Sequence, residues 1–202
     1  GIPSWVLQPP AVQPRTANSG FLEACSRFIT AIVGQVRDLQ VTAPGKAGPI
    51  LLVQSEAGWT CGHDDLAHGY LGELNRYLRE AGLTVPIINA NDLWQGIEGE
   101  IDTWTGAENL LSNLRQLGAV RPNHPRYVSR LRLGRDDVWG KPSTGQISPG
   151  VALRRLAETL AAGAQFNIDP FHGGTNFGFS AGRLSTEPDS FSCTSADGGA
   201  PI

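Results

Sequence analysis

The run at residues 166–178 reads FNIDPFHGGTNFG. Its apolar residues alternate up to His172, Gly173 and Gly174, which predicts a β-strand opening into a loop where main chain comes close to something. In α/β proteins ligands sit at such strand ends, and Thr175 and Asn176 would add two hydrogen-bonding side chains to the exposed backbone. A second candidate lies upstream. Arg130 and Arg132 alternate with apolar residues over 127–133, so both point to one face of a strand. Two guanidinium groups so placed suit either pairing with carboxylates or bidentate recognition of an anion. His63, His68 and His124 lack metal-site spacing. Cys25, Cys61 and Cys193 fit neither a metal pattern nor a disulfide framework, and Cys25 falls on an apolar helix face that points to the core. Glu98 and Glu100 read as solvated side chains, and Asp64 and Asp65 as the start of a helix.

Composition bounds what such residues could serve. The chain has 202 residues, 40% hydrophobic and 17% charged, with 25 glycines and 14 prolines, an ordinary globular mixture rich in turns. A net charge of −3 with no Lys/Arg block argues against nucleic acid as a partner. No apolar run approaches the roughly 20 residues of a membrane span. Methionine is absent even at position 1, so the expected setting is a processed chain or the remainder of a longer polypeptide. Nothing in the sequence calls for a cofactor.

The elements that must position these residues alternate along the chain. Residues 1–18 are Pro-rich and read as an extended loop. Phe21, Ala24, Phe28, Ile29, Ile32, Val33, Val36 and Leu39 then recur at helical spacing, until Pro44 and Gly45 stop the pattern. Ile50, Leu51, Leu52 and Val53, introduced by Gly48 and Pro49, read as a strand buried on both faces. A helix begins near Asp64 with the stripe Leu66, Tyr70, Leu71, Leu74, Tyr77 and Leu78, and Gly82 ends it. Strands are expected over 85–89 and, more weakly, 101–105, with a helix over 107–117. The strand at 127–133 follows, and then a helix over 149–162 with Ser148 as cap and Pro149 at its first position. The last strand leads into HGGTNFG, and residues 183–202 read as an irregular tail. Five strands alternating with helices predict an α/β fold built on parallel sheet.

Several blocks together resemble glycoside hydrolase family 35, the β-galactosidase family. The HGGTNFG string is similar to its last barrel strand. GIPSWVLQ at the start resembles the family's GGLPAWLL, and GPILLVQSEAGW from Gly48 resembles GGPIIMVQVENEYG, with matches at Gly48, Pro49, Ile50, Val53, Gln54 and Glu56. VPIINAND resembles VPLFTCDG; Asp137, Trp139, Gly140 and Pro142 fall on DHWGQP; the closing TSADGGAPI resembles TSYDYDAP. The resemblance implies an incomplete (β/α)8 TIM-type barrel, strands four to eight, as one partial domain over 1–202. It also implies a carbohydrate ligand such as a galactoside; it leaves the location open, a periplasmic or secreted one being compatible with the family.

The same alignment implies that the family's chemistry is altered. Retaining glycosidases need two carboxyl groups about 5 Å apart, one to protonate the leaving oxygen and one to attack the anomeric carbon. The acid/base register of VENEYG falls on Gly58, preceded by Ala57. The nucleophile register of NSEFYTGW falls on Arg130, with Arg132 in place of a Tyr. Asp169, Ala196 and Gly198 replace further tyrosines, Trp59 stands where the family has Tyr, and Trp139 matches a family Trp. Glu56 and Asp169 are the carboxylates left to serve as substitutes. Gln54, Glu56, Arg130, Arg132, Asp169 and Asn176 are the expected sugar contacts, and the two arginines leave an anionic sugar open as ligand. The expectation is a carbohydrate-binding homologue without activity; the alternatives are a hydrolase using Glu56 and Asp169, or a structural module.

Overall fold

The computed structural model describes residues 2–8, 12–45, 47–60, 64–91, 93–134, 138–140, 147–170 and 191–192, with the backbone alone for 64–68. The chain divides into two compact units, residues 1–103 and residues 104–202.

In the first unit, Asn18 lies in extended backbone and its side chain accepts a hydrogen bond from the Phe21 N–H, which starts helix α1, Ser19–Val36. A 3-10 turn, Arg37–Leu39, finishes it. The buried stripe is narrower than the apolar pattern: Phe21, Ile29 and Val33 are covered, whereas Phe28, Ile32 and Leu39 are exposed. The N-terminal stretch is not wholly extended either. A 3-10 turn forms over Ser4–Leu7, where Val6 is buried among the side chains of α1 and its neighbours.

The strand expected at 50–53 lies further along the chain. Strand β1 is Val53–Ala57, and Leu51 and Leu52 before it are exposed. Among the described residues β1 is an edge of the sheet β1-β2-β3, and Leu51 and Leu52 lie before it, outside the paired strand. Gly48 is indispensable to this entry. A Cβ there would stand 2.0 Å from the Leu39 carbonyl oxygen, while Ile50 N–H donates to that same oxygen at 2.9 Å.

Helix α2, Asp64–Glu80, buries Tyr70, Leu71, Leu74 and Leu78 as its spacing predicts, and Gly82 at φ +109° turns the chain away. Strand β2, Ile87–Ala90, is buried throughout and pairs in parallel with β1 and with β3, Glu100–Asp102. Gln40 clips the end of α1 to the approach of β2. Its amide donates to the Arg37 and Gly82 carbonyls and its oxygen accepts from the Thr84 and Val85 N–H groups.

The second unit repeats the alternation. Strand β4, Trp104–Thr105, helix α3, Leu110–Val120, strand β5, Tyr127–Leu131, helix α4, Pro149–Ala161, and strand β6, Gln165–Ile168, follow in order, with a parallel sheet β4-β5-β6. Ser148 caps α4 and Pro149 opens it, as expected. Leu110, Leu114 and Leu117 of α3 are fully covered, as are Val128 and Leu131 of β5. The single strand expected over 101–105 is two strands, β3 and β4, so the described residues hold six strands rather than five. The break falls at Thr103, whose N–H and hydroxyl both donate to the Asn89 carbonyl, at 2.8 and 2.7 Å. In the last strand Gln165, Phe166 and Asn167 are exposed and Ile168 is half-buried, and β6 lies at an edge of the sheet among the described residues. The two units are thus α/β with parallel sheet, the class expected of a partial barrel.

Candidate functional site

Each unit carries part of the predicted residue set. In the first, Glu56 lies near the end of β1 with a side chain only 17% exposed. Four donors converge on it. Arg15 reaches one carboxylate oxygen with Nη2 at 3.3 Å and the other with Nε at 3.4 Å; the Tyr70 hydroxyl donates at 2.6 Å; the Ala57 N–H donates at 2.9 Å. Arg15 is itself fixed, since its Nη2 also donates to the Ala57 carbonyl and its own carbonyl accepts from the Trp59 indole N–H. Burial pushes the Tyr70 phenol far above its ordinary range, and the bond to Glu56 adds to that, so Tyr70 acts as a fixed donor. To protonate a leaving group, a carboxylate held by that many donors would have to give up most of them.

Gly58 follows at φ +61°, in left-handed backbone, with its N–H on the Ala90 carbonyl at 2.9 Å. A Cβ at this position would meet no atom of the described residues within 4 Å. Trp59 is buried, its ring 5.9 Å from that of Tyr70, and so packs in the core instead of offering a stacking face. Gln54 is exposed, and its amide leans on the Glu56 carbonyl. Cys25 is half-buried, and burial raises its thiol, with the Glu56 charge adding to the effect.

Glu100 departs from the sequence expectation. It is 5% exposed, not solvated, and accepts from Ser55, Asn75 and Asn89, while Glu98 is exposed as expected. Sequence reasoning missed Arg15 and Tyr70 as well. Arg15 stands 41 positions from its carboxylate and leaves no periodic trace. Tyr70 was legible as core, but its hydroxyl's partner was not.

In the second unit, Arg130 on β5 pairs with Asp169, just past β6, with Nε 3.0 Å from the carboxylate. The two side chains are 45% and 51% exposed, so this pair stands in solvent. Parallel register explains the meeting, since Leu131 pairs with Ile168 and the next residue is Asp169. Arg132 is half-buried; its carbonyl accepts from Arg155 of α4, which also pairs with Glu108. Trp139 is exposed. Thr175 and Asn176, with His172 and the two glycines, lie outside the described residues, as do Cys61, His63, Asp137, Pro142, Cys193, Ala196 and Gly198. Among the described residues no group of three His, Cys, Asp or Glu side chains could hold a metal ion, and no helix is long and apolar enough to cross a membrane.

The sequence pattern of the glycosyl hydrolases family 35 matches residues 1–202. The chain belongs to that family. Beta-galactosidase-1-like protein 2 of Homo sapiens is 30% identical over 192 residues, covering 91% of this chain and 29% of that protein. Beta-galactosidase of Bos taurus is 28% identical over 189 residues, covering 89% of this chain and 28% of that protein. The family 35 chain described here therefore spans under a third of the length of these relatives. Among solved structures, the catalytic domain of an endoglucanase from Thermobifida fusca is similar at 13% identity, with a TM-score of 0.49 over 88% of this chain and 61% of that one, too distant a likeness to carry an argument.

Proposed function

We propose that this chain is a family 35 homologue that binds a carbohydrate, a galactoside or a related sugar, without hydrolysing its glycosidic bond. The observation that carries the reading is Gly58, left-handed and without a side chain at the position that the family resemblance assigns to the acid/base. Glycine can neither donate a proton to a leaving oxygen nor orient a water. Loss of general acid/base help alone slows such a reaction by about 10²–10⁴. Arg130 occupies the register of the nucleophile, and its guanidinium cannot attack an anomeric carbon.

The two carboxylates that could substitute are both engaged. Glu56 is held by Arg15, Tyr70 and the Ala57 N–H, and Asp169 by Arg130. Arg130 and Arg132 give the ligand class its anionic option, a sugar acid, because a guanidinium group recognises a carboxylate through two parallel bonds. The Arg130–Asp169 pair weighs against that option, since the ligand would have to displace Asp169.

The test uses the full-length protein. No turnover of a chromogenic galactoside is expected, together with calorimetric binding of galactose or galacturonate, the second only if Asp169 yields its arginine. Turnover abolished by Glu56→Gln would overturn the inactive reading. Absence of heat with every sugar, at concentrations well above a weak site's dissociation constant, would leave a structural module.

A further inference from the structure

Glu100 and Asp102, 5% and 3% exposed, stand two residues apart on β3 and so share a face of the strand. One nitrogen bridges them: Asn89 Nδ2 lies 3.0 Å from Glu100 Oε2 and 3.0 Å from Asp102 Oδ1. Burial removes the water that would solvate an ionised Glu100 carboxylate. The groups facing Glu100 come from four elements. They are Ser55 on β1, Asn75 on α2, Asn89 on β2, and Asp102 on β3 itself, the charged one among them. The hydrogen bonds to Glu100 thus come from neutral donors, which leaves its charge without a direct cationic partner among the described residues.

Ser55 supplies the second half of the device. Its Oγ lies 2.9 Å from Glu100 Oε2 and 3.4 Å from the Ile88 carbonyl oxygen, and a hydroxyl has one hydrogen to give. When Glu100 is ionised, Ser55 donates to it. When Glu100 carries a proton, the carboxyl donates to Ser55 Oγ, and Ser55 is released to donate to Ile88. The proton comes from solvent and returns to it, and no covalent bond other than O–H changes.

We propose that Glu100, Ser55 and Asn89 form a proton-operated latch across β1, β2 and β3, closed when Glu100 is protonated and loosened when it ionises in its buried setting among neutral donors. Burial raises the Glu100 carboxyl above its ordinary range, with the Asp102 charge in the same direction and the three hydrogen bonds opposing. The sign follows from linkage. The folded chain holds this proton more tightly than the unfolded chain, so its stabilisation is complete below the range of a free glutamate and is lost as pH rises through the raised midpoint.

The test is hydrogen–deuterium exchange of the segment 85–103 in the full-length protein, wild type against Glu100→Gln, from mildly acid to mildly alkaline pH. Glutamine keeps the length of the protonated acid and can donate to Ser55 Oγ, but it turns its amide nitrogen toward the Asn89 donor, which sets a pH-independent offset. The wild type should lose protection relative to the variant as pH rises through the Glu100 midpoint. A gain of wild-type protection relative to the variant over that range would mean that the ionised carboxylate is the stabilising form, and a constant ratio would mean that no proton is involved; either overturns the latch. Infrared difference spectra read the proton directly. A protonated-carboxyl band that disappears on raising the pH, at a midpoint above that of a free glutamate, and that is missing in Glu100→Gln, is the expected result; its absence from the wild type at acid pH refutes the proposal even if the variant misfolds.

Discussion

Replacing Glu56 by Gln separates a structural carboxylate from a catalytic one. The side chain keeps its length, so the change removes charge and one acceptor while leaving shape. Tyr70 keeps an oxygen to donate to, but the bond at 2.6 Å ceases to be charge-assisted, a change of about 1 kcal/mol given that bonds to charged groups contribute about 1.5–3 and neutral ones about 0.5–1.5 kcal/mol. The new amide nitrogen then replaces Oε1, so that its donors face both the Ala57 N–H and Arg15 Nη2 and leave the Ala57 N–H without this acceptor. Arg15 is 41% exposed, so its ion-pair share is discounted to under about 1 kcal/mol. The sum is about 2 kcal/mol, or a fall in Tm of about 4–8 °C for a domain of this size. Urea and thermal unfolding measure it. Tyr70→Phe should cost about 1–2 kcal/mol by itself, and the double variant should cost less than the two together, because both remove the same bond. A Gln variant that melts with the wild type while losing turnover would refute the reasoning, since it would show that Glu56 does chemistry and holds nothing.

Gly58→Glu should be accommodated, because no atom of the described residues stands within 4 Å of the new Cβ, but at a cost of about 1–2 kcal/mol for left-handed backbone, and it should restore no galactoside turnover by itself while Arg130 holds the other register. Asp169→Asn should change stability by less than about 1 kcal/mol in urea unfolding, because both partners of its ion pair are more than a third exposed. If the sugar is anionic, the same variant should bind galacturonate more tightly by calorimetry than the wild type does, since Arg130 is freed. Gly48→Ala should destabilise by about 1–3 kcal/mol, read as a lower unfolding midpoint, because its Cβ would overlap the Leu39 carbonyl and backbone must shift to admit it.

The helices were legible because each buries one stripe. Tyr70, Leu71, Leu74 and Leu78 repeat at the spacing of a single face, and Ser148 followed by Pro149 marks a start that needs no tertiary partner. The sheet was legible less well. An apolar run such as 50–53 states that residues want cover, not which of them a strand takes in, and β1 begins only at Val53, with Leu51 and Leu52 exposed before it. The break at Thr103 depends on the Asn89 carbonyl, which sequence distance hides.

Sequence by itself determined that this is a family 35 chain of alternating helix and parallel strand, and which residue types stand at Gly58 and Arg130, because periodicity and motif register are properties of neighbours along the chain. Tertiary structure alone decided what surrounds the remaining carboxylates. Glu56 is tied to Arg15 and Tyr70, Asp169 to Arg130, and Glu100 is buried beside Asp102 under donors from three other elements. A carboxyl group's role follows from its burial and from the charges and donors within a few ångströms, and those arrive from positions far apart in sequence.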